Sequence, residues 1–250
     1  MSLALKRIFP KLYQKIKFIH NKLPASVEFW DKKHYKVTNK INELFKPWKT
    51  VESLIKESNV VFENYNGGDF IDVGAYIGFY SFLLAPKSNS SDNFISCEPD
   101  KNVQNDLLKN LEILSGVFKE IKIDLVNLPI NKGNDVVMIN TTFGHPSFQQ
   151  FSKEHNNKKS IKSKTLDSIV RLFSLNPKFI KIDVEGAELD VLQGMKETLK
   201  IYKPKIMLEK HPTLIPKNIN LKNIDNYLFE YGYQSKLIHS EDIAIREIWF

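Results

Sequence analysis

Ten residues, Asp69-Phe-Ile-Asp-Val-Gly-Ala-Tyr-Ile-Gly78, constrain this chain more than any other segment. The run up to Val73 is apolar and too short for a helix, so it reads as a buried strand. Gly74 lets the chain turn tightly at its end, and Gly78-Phe-Tyr-Ser-Phe-Leu-Leu-Ala85 continues as a helix. The same alternation then repeats. Asn93–Glu98 is a strand, and a helix runs from Asp100 to Leu114 with Asp100 as its N-cap. Further strands fall at Ile121–Val126, Lys178–Asp183 and Lys205–Glu209, with an extra one at Val136–Ile139 pairing near the third. Helices fall at Glu188–Lys200 and Ile224–Tyr231, and Ser235–Ile238 with Ile243–Trp249 form a closing hairpin. Strands alternating with helices predict an α/β fold with a doubly wound, mostly parallel sheet.

In such sheets ligands bind beyond the carboxyl ends of the strands, where the strand order reverses. The turn Asp72-Val-Gly74-Ala75-Tyr76-Ile-Gly78 lies at such an end. Its glycine spacing differs from the G-x-G-x-x-G that cradles a pyrophosphate on a helix N-terminus. Glu98 follows Gly74 by 24 residues, at the tip of the next strand, where a carboxylate can accept both hydroxyls of a ribose.

A second segment, Lys178-Phe-Ile-Lys-Ile-Asp-Val-Glu-Gly-Ala-Glu-Leu-Asp-Val-Leu-Gln-Gly194, makes the pattern specific. DVGAYIGFYS, CEPD, TLDSIV and IKIDVEGAELDVLQG, in that order across residues 60–212, resemble the FkbM family of S-adenosylmethionine-dependent methyltransferases. The resemblance implies a seven-stranded, Rossmann-like methyltransferase sheet and, for most of the family, O-methylation of sugars or natural products. It implies that Asp72, Gly74, Ala75, Tyr76 and Gly78 line the methionine end of S-adenosylmethionine and that Glu98 holds its ribose. It also places Asp183 between cofactor and acceptor. Two positions depart from the family pattern: Tyr76 stands where Asn is usual, and Pro129 where a small residue is usual.

Methyl transfer from a sulfonium to a hydroxyl gains from alignment and from a base that takes the proton. Asp183, Glu185 and His211 are the catalytic candidates, with Glu188 and Glu209 beside them. Glu188 also reads as an acidic residue at a helix N-terminus, and His211 and His145, each followed by Pro, as structural histidines. Asp183 and Glu209 could hold Mg²⁺, but no dedicated ligand spacing supports a metal, and none is expected.

Charge argues against nucleic acid as the partner. The net charge of +7 is uneven: residues 1–50 carry 12 basic against three acidic groups, residues 51–250 carry 24 against 26. No Asn/Asp-Pro-Pro-Tyr run or Pro-Cys nucleophile points to base methylation, and a small-molecule or glycan acceptor is what the resemblance implies. Residues 1–58 read as a basic, helical arm, with a helix interrupted near Pro47 over 31–58, and residues 59–250 as the methyltransferase domain. Leu12, Ile16, Ile19 and Leu23 form an apolar stripe beside Lys11, Lys15 and Lys22. This stripe suits either docking on the domain or peripheral contact with an anionic membrane through residues 1–23. The basic run Lys153–Lys164 reads as a solvated loop. A single cysteine, Cys97, and the lack of an apolar leader fit a cytoplasmic setting.

Overall fold

In the computed structural model, residues 24–140 and 158–250 are described. Seven strands form one sheet in the order β10-β11-β9-β8-β3-β4-β5. They are β3 (Asp69–Val73), β4 (Asn93–Cys97), β5 (Lys122–Val126), β8 (Pro177–Ile182), β9 (Lys205–Lys210), β10 (Ser235–Ser240) and β11 (Ile245–Trp249). The strands from β5 through β9 run parallel, and β11 and β10 close that edge antiparallel. The chain starts in the middle at β3, winds outward through β4 and β5, then crosses back to β8 on the other side. The order therefore reverses between β3 and β8, which makes their carboxyl ends the expected ligand crevice.

Register explains why short strands suffice. Phe70 sits between Phe94 and Phe179, and the next residue, Ile71, between Ile95 and Ile180. Successive side chains point to opposite faces, so each face receives its own apolar layer. The Phe face packs against α1 (Asn39–Thr50), α2 (Glu52–Asn64), α3 (Phe79–Leu84) and α4 (Lys101–Val117). The Ile face packs against α5 (Leu166–Leu172), α6 (Glu188–Gln193), α7 (Lys196–Ile201) and α8 (Leu221–Glu230). One step further along the strands the Phe face turns polar. Ser96, Asp72, Lys181 and Glu209 are all buried there, and Arg246, paired with Glu209 on β11, joins them.

Three expectations need correction. Residues 31–58 are not one interrupted helix: β1 (Pro24–Glu28) and β2 (His34–Thr38) form an antiparallel hairpin, and helix begins only at Asn39. The hairpin belongs to the core, because Phe29 is buried against Tyr35, Phe45, Phe82 and Phe118. Pro47 lies inside α1, and Val51 separates α1 from α2. Strand β6 (Val136–Asn140) pairs with β7 (Lys158–Lys162), not with β5, so the end of the basic run is a ribbon strand. The amphipathic segment 1–23, His145 and Lys153 fall outside the described residues. No described helix is long and apolar enough to cross a membrane.

Candidate active site

Gly74 turns the chain out of β3 with φ 81°, and a Cβ there would meet the Asp183 carbonyl oxygen at 1.8 Å. Only glycine allows β3 and β8 to end this close together. Tyr76 adopts φ 48°, a left-handed conformation uncommon for a bulky residue. Its amide donates to Glu98 Oε2 at 2.9 Å, while the Asp100 amide donates to Oε1 at 2.8 Å. Two backbone amides therefore fix the Glu98 carboxylate at the tip of β4, and each oxygen keeps a lone pair for another donor. Burial raises the Glu98 pKa, opposed by those two amides and by Lys181.

A cleft opens at this crevice, beyond the carboxyl ends of β3, β4 and β8. Leu128, Pro129 and Ile130 form one wall, Val73, Cys97 and Pro99 face them, and Glu98 supplies the buried carboxylate. Gly74, Tyr76, Asp183 and Glu185 complete the other end. An apolar slot suits a flat base, Glu98 a vicinal diol, and the acidic end an amine, so these residues fit S-adenosylmethionine. Burial pushes the Cys97 thiol far up, leaving it an apolar wall and not a nucleophile.

Three residues expected at the methionine end lie behind the cleft. Asp72 is fully buried on the Phe face, with Lys181 Nζ 3.4 Å from Oδ1. Burial raises its pKa and Lys181 opposes the rise. Ala75 is buried and donates its amide to the Cys97 carbonyl. Gly78 has φ 83° at the start of α3, and a Cβ there would meet Leu107 at 2.9 Å. The room that a side chain would need there is filled by Leu107 of α4.

The IDVEGAE turn brings the catalytic candidates together. After Asp183, both Glu185 (φ 52°) and Gly186 (φ 100°) are left-handed. A Cβ at Gly186 would strike the Leu214 carbonyl oxygen at 2.4 Å. This reversal tucks Glu188 inward, fully buried, where Oε1 accepts the Gly186 amide at 2.9 Å and lies 2.9 Å from His211 Nδ1. His211 Nε2 then faces Glu209 Oε1 at 3.5 Å, Asp183 Oδ1 at 3.7 Å and Glu185 Oε2 at 3.8 Å. Burial alone would lower the imidazole pKa. The bond to Glu188 and the charges of Asp183, Glu188 and Glu185 outweigh it and raise it to about 9.

Sequence reasoning missed the groups that hold this cluster. Lys181 Nζ donates to the Gly74 carbonyl at 2.6 Å and lies 3.5 Å from Asp183 Oδ2, tying the glycine turn to the acceptor side. Burial would lower the Lys181 pKa, but Asp72, Asp183 and Glu209 overcome that and raise it. Arg246 donates from Nη2 to Glu209 Oε1 at 2.8 Å and pairs through Nε with buried Glu57 at 2.8 Å. Burial and Asp183 raise the Glu209 pKa against the pull of Arg246. A charge at the third position of FIDV, FIKI and MLEK (Asp72, Lys181 and Glu209) was the available signal. Asp183, Glu209 and His211 each offer one ligand atom, all within 4.8 Å of one another.

Comparison with known proteins agrees with this geometry. No curated protein matches the chain significantly. Among solved structures, the methyltransferase FkbM from Methylobacillus flagellatus KT is 20% identical, with TM-score 0.55, over 74% of this chain and 44% of that one. This chain thus spans less than half of that protein's length, and the likeness shows the fold. Fainter likenesses are a putative rRNA-methylase from Clostridium thermocellum and TrmK of M. capricolum solved with S-adenosylhomocysteine. The first is 9% identical with TM-score 0.46, over 79% of this chain and 94% of that one. The second is 16% identical with TM-score 0.43, over 77% and 66%. Both are too distant to bear on function. The profile of the methyltransferase FkbM domain matches residues 72–235, which include the Gly74 turn, Glu98, the IDVEGAE turn and His211. By that match, the chain belongs to the FkbM family of S-adenosylmethionine-dependent methyltransferases.

Proposed function

We propose that the protein transfers a methyl group from S-adenosylmethionine to a hydroxyl of a sugar, glycan, glycolipid or other small natural product. The observation that carries this reading is that Asp183 belongs to two unlike half-sites. It lines the apolar cleft that ends in Glu98, and it also faces the cluster around His211. The cofactor, when bound, supplies an electrophilic methyl on a positively charged sulfur. Glu98 holds the ribose hydroxyls, and the Leu128–Ile130 wall covers the base. Gly74, fixed by Lys181, shapes the turn beneath the methionine arm.

Asp183 is 29% exposed in its side chain, the reach that a base needs toward an acceptor oxygen. It accepts the hydroxyl proton as the new bond forms, and much of the rate comes from holding that oxygen in line with the methyl. His211, held through Nδ1 by Glu188, faces Asp183 and Glu185 and helps to set their orientation. The excess of carboxylates on this side disfavours a polyanionic acceptor such as RNA.

Methyl-labelled cofactor incubated with glycan, lipid and RNA fractions tests the reading. Label is expected in glycans, glycolipids or small polyols as an alkali-stable ether. Asp183→Asn is expected to lower kcat by about 10²–10⁴-fold while S-adenosylhomocysteine still binds. Label confined to RNA, or no transfer to any fraction, would contradict it.

A further inference from the structure

We infer that Asp183, Glu209 and His211 form a binding site for one divalent cation of borderline character, such as Mn²⁺, Fe²⁺ or Zn²⁺. The sequence, lacking adjacent ligand spacing, pointed away from a metal. The fold supplies the missing proximity, because Asp183 ends β8 while Glu209 and His211 end the neighbouring β9.

Three observations carry the site. The three ligand atoms lie within 4.8 Å of one another, and His211 Nε2 stands 3.5 Å from Glu209 Oε1 and 3.7 Å from Asp183 Oδ1. Donors bound at about 2.1 Å stand roughly 3.0–3.4 Å apart, so His211 Nε2 already lies within a few tenths of an ångström of that spacing from each carboxylate. His211 is only 6% exposed, and its Nε2 points among the carboxylates of Glu209, Asp183 and Glu185 at 3.5, 3.7 and 3.8 Å. Its other nitrogen is fixed by Glu188, which is fully buried. Metal-binding histidines are held in this way, with a carboxylate on the remote ring nitrogen setting the tautomer and ring angle. Arg246 plays the matching part for Glu209, donating to Oε1 at 2.8 Å.

Charge points the same way. Asp183, Glu185, Glu188 and Glu209 converge here, and Arg246, 2.8 Å from Glu209 Oε1, and Lys181, 3.5 Å from Asp183 Oδ2, offset only part of that charge. One imidazole and two carboxylates suit Mn²⁺, Fe²⁺ or Zn²⁺ better than Mg²⁺, which favours oxygen ligands alone. The role of the ion, holding the acceptor oxygen beside Asp183, rests on the methyl-transfer reading. The site itself does not.

The test is Mn²⁺ titration of the full chain after chelator treatment, without cofactor or acceptor, followed by electron paramagnetic resonance. One Mn²⁺ per chain is expected, with nitrogen hyperfine coupling from an imidazole. His211→Ala and Glu209→Gln are each expected to weaken binding at least tenfold, and Glu188→Gln by about tenfold. S-adenosylhomocysteine binding checks that each variant folds, and the wild-type nitrogen coupling stands even if a variant does not. Absence of stoichiometric Mn²⁺, binding without nitrogen coupling, or undiminished binding by the folded His211→Ala chain would overturn the inference. Methyl transfer without Mn²⁺ binding would sink this site alone. Mn²⁺ binding without methyl transfer would sink the proposed reaction alone.

Discussion

Gly74 shows how one missing side chain sets the distance between the two halves of the site. Its Cβ position lies 1.8 Å from the Asp183 carbonyl oxygen, and its φ of 81° is one that side chains resist. Gly74→Ala is therefore expected to destabilise the fold by about 3 kcal/mol, read as a lower urea midpoint. A variant as stable as the wild type would contradict the close approach of β3 and β8. Sequence spacing could identify Gly74, Glu98 and Asp183, because each sits at the end of a strand whose apolar run is visible. Gly78 was legible as a glycine that matters, though its neighbour proved to be Leu107 on α4 and not a ligand. Lys181 and Arg246 were not legible. Lys181 stands in an apolar strand and Arg246 beside Glu247, and Asp72 and Gly74 for the first, Glu57 and Glu209 for the second, reach them from segments far away in the chain. Pairing of that kind leaves no local period to read.

Among the elements, the parallel strands were readable and the first hairpin was not. Strands β3, β4, β8 and β9 are buried on both faces, so they appear as short continuous apolar runs. Strands β1 and β2 carry mostly polar residues and lack the Gly or Asn that usually marks a hairpin turn. Lys32 takes the left-handed position instead, with φ 63°. Asp31 supports the turn by accepting from the Lys33 amide and the Tyr35 hydroxyl. What locks the hairpin is tertiary: Phe29 packs between Tyr35, Phe45, Phe82 and Phe118. Phe29→Ala is expected to cost about 3–5 kcal/mol in denaturant unfolding. A loss below about 1 kcal/mol would mean that the hairpin is an appendage and not part of the core.

Across the whole molecule, the layered sheet gathers Asp72, Lys181, Glu209 and Arg246 into one buried polar strip at its carboxyl edge. Concentrating carboxylates around His211 links stability to pH. The imidazole titrates near 6.5 in an unfolded chain but at about 9 in this fold. Its contribution is therefore complete below about pH 6.5 and is lost as pH rises through about 9. The shift corresponds to about 3 kcal/mol. Chelator-treated protein is expected to melt about 5–10 °C lower at pH 9.5 than at pH 6.5. His211→Gln should flatten that decline, and an equal decline in the variant would place the linkage elsewhere.

The claim on which the rest depends is that the cleft between Gly74, Glu98 and Asp183 holds the cofactor. Calorimetric titration of the full chain with S-adenosylhomocysteine tests it most directly. The account predicts one site per chain, with Glu98→Ala weakening binding roughly 10- to 100-fold through loss of two charge-assisted hydrogen bonds. No measurable binding by the wild type, or affinity unchanged in Glu98→Ala, would contradict it.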